Sequence, residues 1–173
     1  MGIAENTYAE LKQQELKNNP YSCLHMADID INPHQVEAFT FALSSLELGG
    51  AILADEVGLG KTIEAGLVIK YLLCSGKNKI LLIMPSNLRK QWQVELEEKF
   101  DIDSLIVDSS NWEDYLAKVK SKQAVIIVSY HFASKRKAEL EKVVWDLFVY
   151  LMKHIGLGMF IRMVQRWLTH YMN

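Results

Sequence analysis

Ala51-Ile-Leu-Ala-Asp-Glu-Val-Gly-Leu-Gly-Lys-Thr62 decides the fold. Ala51 to Ala54 is a short strand with no polar face. A turn carrying Gly58 and Gly60 follows, and Lys61-Thr62 open an apolar-rich helix that runs to about Cys74. That order has a chemical reason. Glycine lets the backbone curl until several N–H groups face one point, and the helix start behind it adds partial positive charge. A strand, a glycine loop and a helix in this order form a cradle for a phosphate chain. Lys61 is placed to reach the terminal phosphates, and Thr62 to coordinate Mg²⁺ through its hydroxyl. The general phosphate-loop pattern asks for glycine five positions before Gly60, and Asp55 stands there instead.

Outward from this loop the same alternation continues. Upstream, residues 33–48 read as a helix: Val36, Phe39, Ala42, Leu43 and Leu46 recur at helical spacing, Pro33 suits the first turn, and Gly49-Gly50 closes it. A polar helix over residues 4–18 is ended by Pro20. Downstream, Ser75 to Asn78 is a loop, and Ile80-Leu-Leu-Ile-Met84 is a strand stopped by Pro85. A helix over 87–100 carries Leu88, Trp92 and Leu96 on one face, and strands follow at 104–107 and 124–128. Uninterrupted apolar strands alternating with helices predict an α/β fold, a parallel sheet covered by helices on both faces.

Bulk properties narrow the function. With 173 residues the chain can build one real core but not a complete two-lobed motor. A formal net charge of -2 excludes a binder that relies on overall positive charge for nucleic acid. Cys23 and Cys74 have no metal-like spacing and read as reduced thiols of an intracellular protein. None of the five histidines has the spacing of a metal ligand. The start of the chain has no secretory pattern, and Thr7 falls one position too late for myristoylation after Met1-Gly2. A cytoplasmic protein with no membrane partner is the expectation, with nucleoid association as the further option.

Three further stretches give the loop a family. Asp55-Glu-Val-Gly-Leu-Gly-Lys-Thr-Ile-Glu-Ala-Gly66 resembles motif I of the Swi/Snf family of helicase-like DNA translocases, in its bacterial branch. In that family the Asp-Glu pair replaces the first glycine. Asn32-Pro-His-Gln35 resembles the family's Pro-aromatic-Gln element, with His34 in the aromatic position. Met84-Pro-Ser-Asn-Leu-Arg-Lys-Gln-Trp-Gln-Val-Glu95 resembles motif Ia, and Val125-Ile-Ile-Val-Ser-Tyr130 motif Ib. The resemblance covers about residues 30–147 and implies a RecA-like, phosphate-loop ATPase lobe with ATP and Mg²⁺ as cofactors. It implies an ATP site of Gln35, Asp55, Glu56, Gly58, Leu59, Gly60, Lys61 and Thr62, with Gln35 on the adenine edge, where an amide can donate and accept at once. It places Ser86, Asn87, Arg89, Ser129 and Tyr130 toward double-stranded DNA. RNA polymerase is a partner implied by the bacterial branch. For Asn87 a helix cap, and for Ser129 and Tyr130 a plain strand end, are the structural alternatives.

The chain changes character near its end. All 21 acidic residues lie at or before Asp146, and four of the seven methionines fall after Phe148. The family's next motif is Asp-Glu-Ala-His, whose acidic pair holds the Mg²⁺ shell and orients the attacking water. Val143-Val-Trp-Asp-Leu147 resembles the lead-in to that strand, yet Phe148-Val-Tyr-Leu-Met-Lys-His-Ile-Gly follows. The expected organisation is an N-terminal helical extension over 1–29, a truncated RecA-like first lobe over 30–147, and an atypical tail over 148–173. A lobe cut at 147 should leave sheet and helix faces uncovered. ATP binding without hydrolysis by this chain alone is the implied activity; a non-catalytic nucleotide- or DNA-binding module is the alternative. The tail has three readings. A membrane anchor is poor because Lys153 and Arg162 interrupt the apolar run. A natural divergent helix is the second. The third is a shifted reading frame: codons allowed for Leu151 to Arg162, read from each third base, permit Asp-Glu-Ala-His-Arg-Leu-Arg-Asn-Val-Tyr-Lys, with Glu and Val forced. Sequencing the coding DNA from codon 145 onward tests this. The shifted frame is expected to read Asp-Glu-Ala-His; its absence from every frame leaves residues 148–173 as the protein's own.

Overall fold

A strand made of Ile80, Leu81, Leu82, Ile83 and Met84 has no face it can turn to water, and all five side chains are 0 % exposed. Every other element is arranged around that requirement. The computed structural model describes residues 19–20, 22, 32–46, 48, 50–53, 61–119, 124–151 and 159–162. The helix expected over 4–18, Cys23, and Asp55, Glu56, Gly58, Leu59 and Gly60 of the phosphate loop lie outside them.

The described elements are α1 (Pro33–Leu46), β1 (Ala51–Leu53), α2 (Lys61–Cys74), β2 (Lys79–Met84), α3 (Arg89–Phe100) and β3 (Ser104–Ile106), then α4 (Trp112–Val119), β4 (Ala124–Ser129), α5 (Tyr130–Lys135), α6 (Lys137–Leu140), β5 (Leu147–Leu151) and β6 (Met159–Arg162). They form one six-stranded sheet of order β1-β6-β5-β2-β4-β3. β2 lies parallel to β4, with Ile80 opposite Val125, and parallel to β5, with Ile80 opposite Leu147. β3 is parallel to β4. Because side chains alternate along a strand, β2 feeds both faces. Ile80, Leu82 and Met84 join a cluster with Phe39, Leu67, Trp92 and Phe100 beneath α1, α2 and α3. Leu81 and Ile83 join Trp112, Tyr115, Phe132 and Trp145 on the opposite face. There the Trp112 ring lies 5.0 Å from Tyr115 and 5.3 Å from Phe132, with the Arg136 guanidinium 5.4 Å from its centroid. Of the helices that carry this second layer, α5 and α6 are too short for the sequence pattern to signal, while α4, where Trp112, Tyr115, Leu116 and Val119 recur at helical spacing, is passed over by the sequence reading.

Local chemistry sets the ends of the elements. α3 starts at Arg89 rather than 87 because Pro85–Leu88 is a turn, closed by Leu88 N–H donating to the Pro85 carbonyl at 3.1 Å. Its N-cap is Leu88, so Asn87 caps nothing. At its other end Asp101 adopts the left-handed conformation (φ 51°), and its N–H donates to Glu97 O at 3.0 Å. The Ile102 N–H donates to Leu96 O at 3.1 Å, which completes a two-bond helix stop. Asp146 clamps two strand starts together: its Oδ2 accepts from Asn78 N–H at 2.8 Å and Lys79 N–H at 3.0 Å, while its own N–H donates to the Lys79 carbonyl at 2.7 Å.

The sheet is not cut at 147. β5 continues to Leu151 with Leu147, Phe148, Val149 and Leu151 buried, and β6 extends the sheet from the segment beyond. β6 pairs antiparallel with both β5 and β1, so the sheet is mixed rather than wholly parallel. Connection length explains the direction: residues 152–158 are too few for the dozen or more that a parallel crossover needs.

α2 and α3 meet at Gly66. A Cβ there would sit 2.2 Å from Cε2 of Phe100, a ring with no exposure and nowhere to move. Gly66→Ala should therefore separate the two helices and destabilise the fold by about 1–3 kcal/mol, the usual cost of overpacking. Thermal unfolding is the check; an unchanged midpoint would mean that the contact yields.

Candidate nucleotide-binding site

Four parallel strands point their C-terminal ends at one rim of the sheet, where an open α/β sheet presents its ligand site. β1 is antiparallel to β6, which is antiparallel to β5, so β1 points the same way. Lys61 and Thr62 open α2 on the chain that leaves β1. α2 is 14 residues long, so the aligned peptide dipoles at its start favour an anion. α1 also turns back against β1 through a short connection and so runs in the same direction as α2. Its first turn, with Gln35, lies toward the same end of the sheet as Lys61.

Gln35 has a structural task there. It is 2 % exposed, and its Oε1 accepts the Asn32 N–H at 3.0 Å while its own N–H donates to the Asn32 carbonyl at 3.0 Å. Asn32 directly precedes the helix, Pro33 is the first helical residue and Gln35 the third, so the Gln35 side chain supplies one half of a capping box, and the Asn32 backbone carbonyl stands in for the other half. One acceptor lone pair of the amide is thus used by the backbone, which fixes the side chain in the first turn.

The other expected residues are spread along the rim. Ser86 and Asn87 are exposed in the turn after β2. Arg89 folds back, its Nε donating to the Ser86 carbonyl at 3.3 Å. Its charge also helps hold the Asp108 carboxyl below the usual range, after the larger effects of the Ser110 hydroxyl, at 2.6 Å, and the Ser110 N–H, at 2.9 Å. Ser129 caps α5, its Oγ accepting from Phe132 N–H at 3.1 Å. Tyr130 donates its hydroxyl to the Leu151 carbonyl, and its ring sits 5.2 Å from that of Tyr150. Burial, with a smaller effect of Tyr150, pushes the Tyr130 phenol up to about 12. The structure therefore brings Ser129 and Tyr130 together at the ends of β4 and β5, where both serve internal bonds, and keeps Ser86, Asn87 and Arg89 one strand away.

Two acidic residues on α2 and α3 were given no role in the site by motif reading. Glu64, in the first turn of α2, is 0 % exposed, placed where the helix start favours negative charge. Glu95, the closing Glu of the motif Ia stretch, accepts hydrogen bonds within its own helix, from Gln91 Nε2 at 2.9 Å and Lys99 Nζ at 2.9 Å. Among the described residues no three His, Cys, Asp or Glu gather as a metal cluster, and no helix is long and apolar enough to cross a membrane.

Gln35→Ala removes the side-chain acceptor of the Asn32 N–H and should lower stability by about 1 kcal/mol. Thermal denaturation checks this; Gln35→Glu, which keeps an acceptor for the Asn32 N–H, should retain most of the stability.

Comparison with known proteins places this geometry. A model of the SNF2-related domain matches residues 34–150. RNA polymerase-associated protein RapA of Yersinia enterocolitica serotype O:8 / biotype 1B is 33% identical over 144 residues, covering 79% of this chain and 15% of the relative. RapA of Yersinia pestis is 32% identical over the same length. The chain thus spans about 15% of the length of the curated relatives it matches. Among solved structures, the Sulfolobus solfataricus SWI2/SNF2 ATPase core in complex with dsDNA superposes with a TM-score of 0.58 at 22% identity, over 69% of this chain and 25% of that one. With the family match running from the first turn of α1 to the end of β5, and the sheet superposing on an ATPase core, the chain belongs to the SNF2-related domain family and has its RecA-like α/β fold.

Proposed function

We propose that this chain is the ATP-binding lobe of a DNA-dependent, helicase-like translocase ATPase, and that by itself it binds ATP without hydrolysing it. The observation that carries the first half is the placement of Lys61 and Thr62 at the start of a 14-residue helix that leaves a buried strand toward the ligand rim. Lys61 supplies a cation to the terminal phosphates, and the helix start supplies partial positive charge. Asp55, Glu56, Gly58, Leu59 and Gly60 supply the loop between them, and Gln35 holds the adenine end. The Thr62 hydroxyl is an oxygen donor of the kind Mg²⁺ takes, and the ion, when bound beside Lys61, would neutralise charge on the phosphates.

The second half rests on the end of β5. Val149, Tyr150 and Leu151 stand where a hydrolytic lobe needs carboxylates at the rim, and they are apolar or aromatic. The Leu151 carbonyl is taken by Tyr130. Asp108, which follows β3 at the far edge of the sheet, is tied to Ser110. Nothing among them is placed to orient an attacking water.

DNA and protein partners follow from the relatives. The solved neighbour is held on double-stranded DNA, and RapA is named for its association with RNA polymerase. We assign to this chain a double-stranded DNA contact through Ser86, Asn87, Arg89, Ser129 and Tyr130, with RNA polymerase as the candidate protein partner and the cytoplasm as the compartment. Ser86, Asn87 and Arg89 carry more of that reading, since Ser129 and Tyr130 already serve internal bonds.

A fluorescent ATP analogue titrated in Mg²⁺ should bind the wild-type chain, and Lys61→Ala should weaken it at least tenfold. Phosphate release should stay below a tenth of the rate of a longer relative, with or without duplex DNA. Failure of the wild type to bind nucleotide would overturn the site, and turnover within tenfold of that relative would overturn the claim of binding without hydrolysis.

A further inference from the structure

We propose that β6 sets the nucleotide affinity of this chain: docked between β1 and β5 it fixes the strand that leads toward Lys61, and undocked it leaves that strand loose. The inference rests on the nucleotide-site reading above and adds a means of regulating the site.

The two elements that flank the phosphate-binding stretch are held very differently. α2, which opens at Lys61, is anchored along its length, with Ala65, Leu67, Val68, Ile69 and Leu72 buried in the cluster it shares with α1 and α3. β1 is three residues long and covered from one side. Ala51 and Leu53 join that same cluster, whereas Ile52, on the other face, is 54 % exposed. On that face α5 packs on β2 and β4, which lie three and four places along the sheet from β1.

Lateral support for β1 therefore matters more than for any central strand, and among the described strands β6 alone supplies it. Met159 stands opposite Leu53 on one side and Leu151 on the other, so the first residue of β6 holds the ends of β1 and β5 level at the ligand rim. Leu151 is fixed in turn by the Tyr130 hydroxyl. Release of β6 would take the lateral hydrogen bonds from β1 and leave β2, β3, β4 and β5 paired with one another.

β6 is suited to such release. Its ladders to β1 and β5 are three and four residues long, and a short element opens at a lower free-energy cost than the central strands. A ligand that grips only the docked form binds with an apparent Kd equal to its intrinsic Kd divided by the docked fraction. The coupling is reciprocal, so bound nucleotide must also hold β6 in place.

The test measures binding of a fluorescent ATP analogue in Mg²⁺, thermal midpoints and amide hydrogen exchange on the full chain. Ile161→Pro removes a ladder N–H from β6 and is expected to weaken the analogue about tenfold. Ile161→Gly keeps every N–H but loosens the strand; it serves if the proline variant fails to fold, with an expected loss of about threefold. Leu140→Ala empties a buried position in the second layer, away from β1. It should lower the thermal midpoint at least as much as Ile161→Gly yet keep affinity within about twofold, which separates the coupling from a general loss of stability. In the wild type, saturating analogue should slow exchange of residues 159–162 about fivefold or more. Affinity within twofold of wild type in both Ile161 variants overturns the proposal and leaves the nucleotide site standing. So does an equal loss in Leu140→Ala, or unchanged exchange over 159–162. Absence of any wild-type binding overturns the nucleotide site and this inference together.

Discussion

Burial of β2 on both faces is the constraint from which the architecture follows. A strand with Ile80 to Met84 at zero exposure needs an apolar layer above and below and a hydrogen-bonded strand on each side. α1, α2 and α3 provide one layer, α4, α5 and α6 the other, and β4 and β5 the lateral pairing. Parallel pairing then aligns the strand ends, and the chain must leave each strand at the same rim. The nucleotide-binding candidates and the residues assigned to DNA follow strands that end at the same rim for that reason, although they come from stretches as far apart as Lys61 and Tyr130.

Close helix packing stiffens the layer beneath that rim. A side chain at position 66 would hold α2 and α3 apart; Gly66 against the Phe100 ring lets them meet. The rim also shows economy in its polar groups. Gln35 caps its own helix, Ser129 caps α5, and Tyr130 ties β4 to β5. Side chains named for a ligand hold the backbone that presents them.

Much of this was legible from the chain. Apolar runs marked β1, β2, β3 and β4, and the span of α2 agrees with its reading at both ends, because its glycine loop and the Ser75-Gly76 stop are local signals. α3 began two residues late, since Pro85 imposes a turn that the helical spacing of Leu88, Trp92 and Leu96 conceals. α5 and α6 are too short for periodicity to register, and they exist by packing Phe132 and Leu140 under the sheet. β5 and β6 lay in the stretch whose composition departs from the rest, where the family pattern offers no guide. The Gly66–Phe100 packing is invisible for a different reason: it depends on the distance between two helices, and no spacing along one sequence encodes that.

The position of β6 bears on the order in which the molecule can be completed. β1 carries the chain into the phosphate loop, yet among the described strands its only lateral partner is β6, with Ala51 opposite Ile161. At ribosomal rates of about 5–20 residues per second, Ile161 is made on the order of ten seconds after Ala51. Through that interval β2, β3 and β4 can already pair, while β1 is held by α1 and α2 alone. The loop that would grip a phosphate is thus rooted in the strand that waits longest for its neighbour. A nascent chain would acquire its central sheet early and a fixed base for nucleotide only once residues 159–162 have followed.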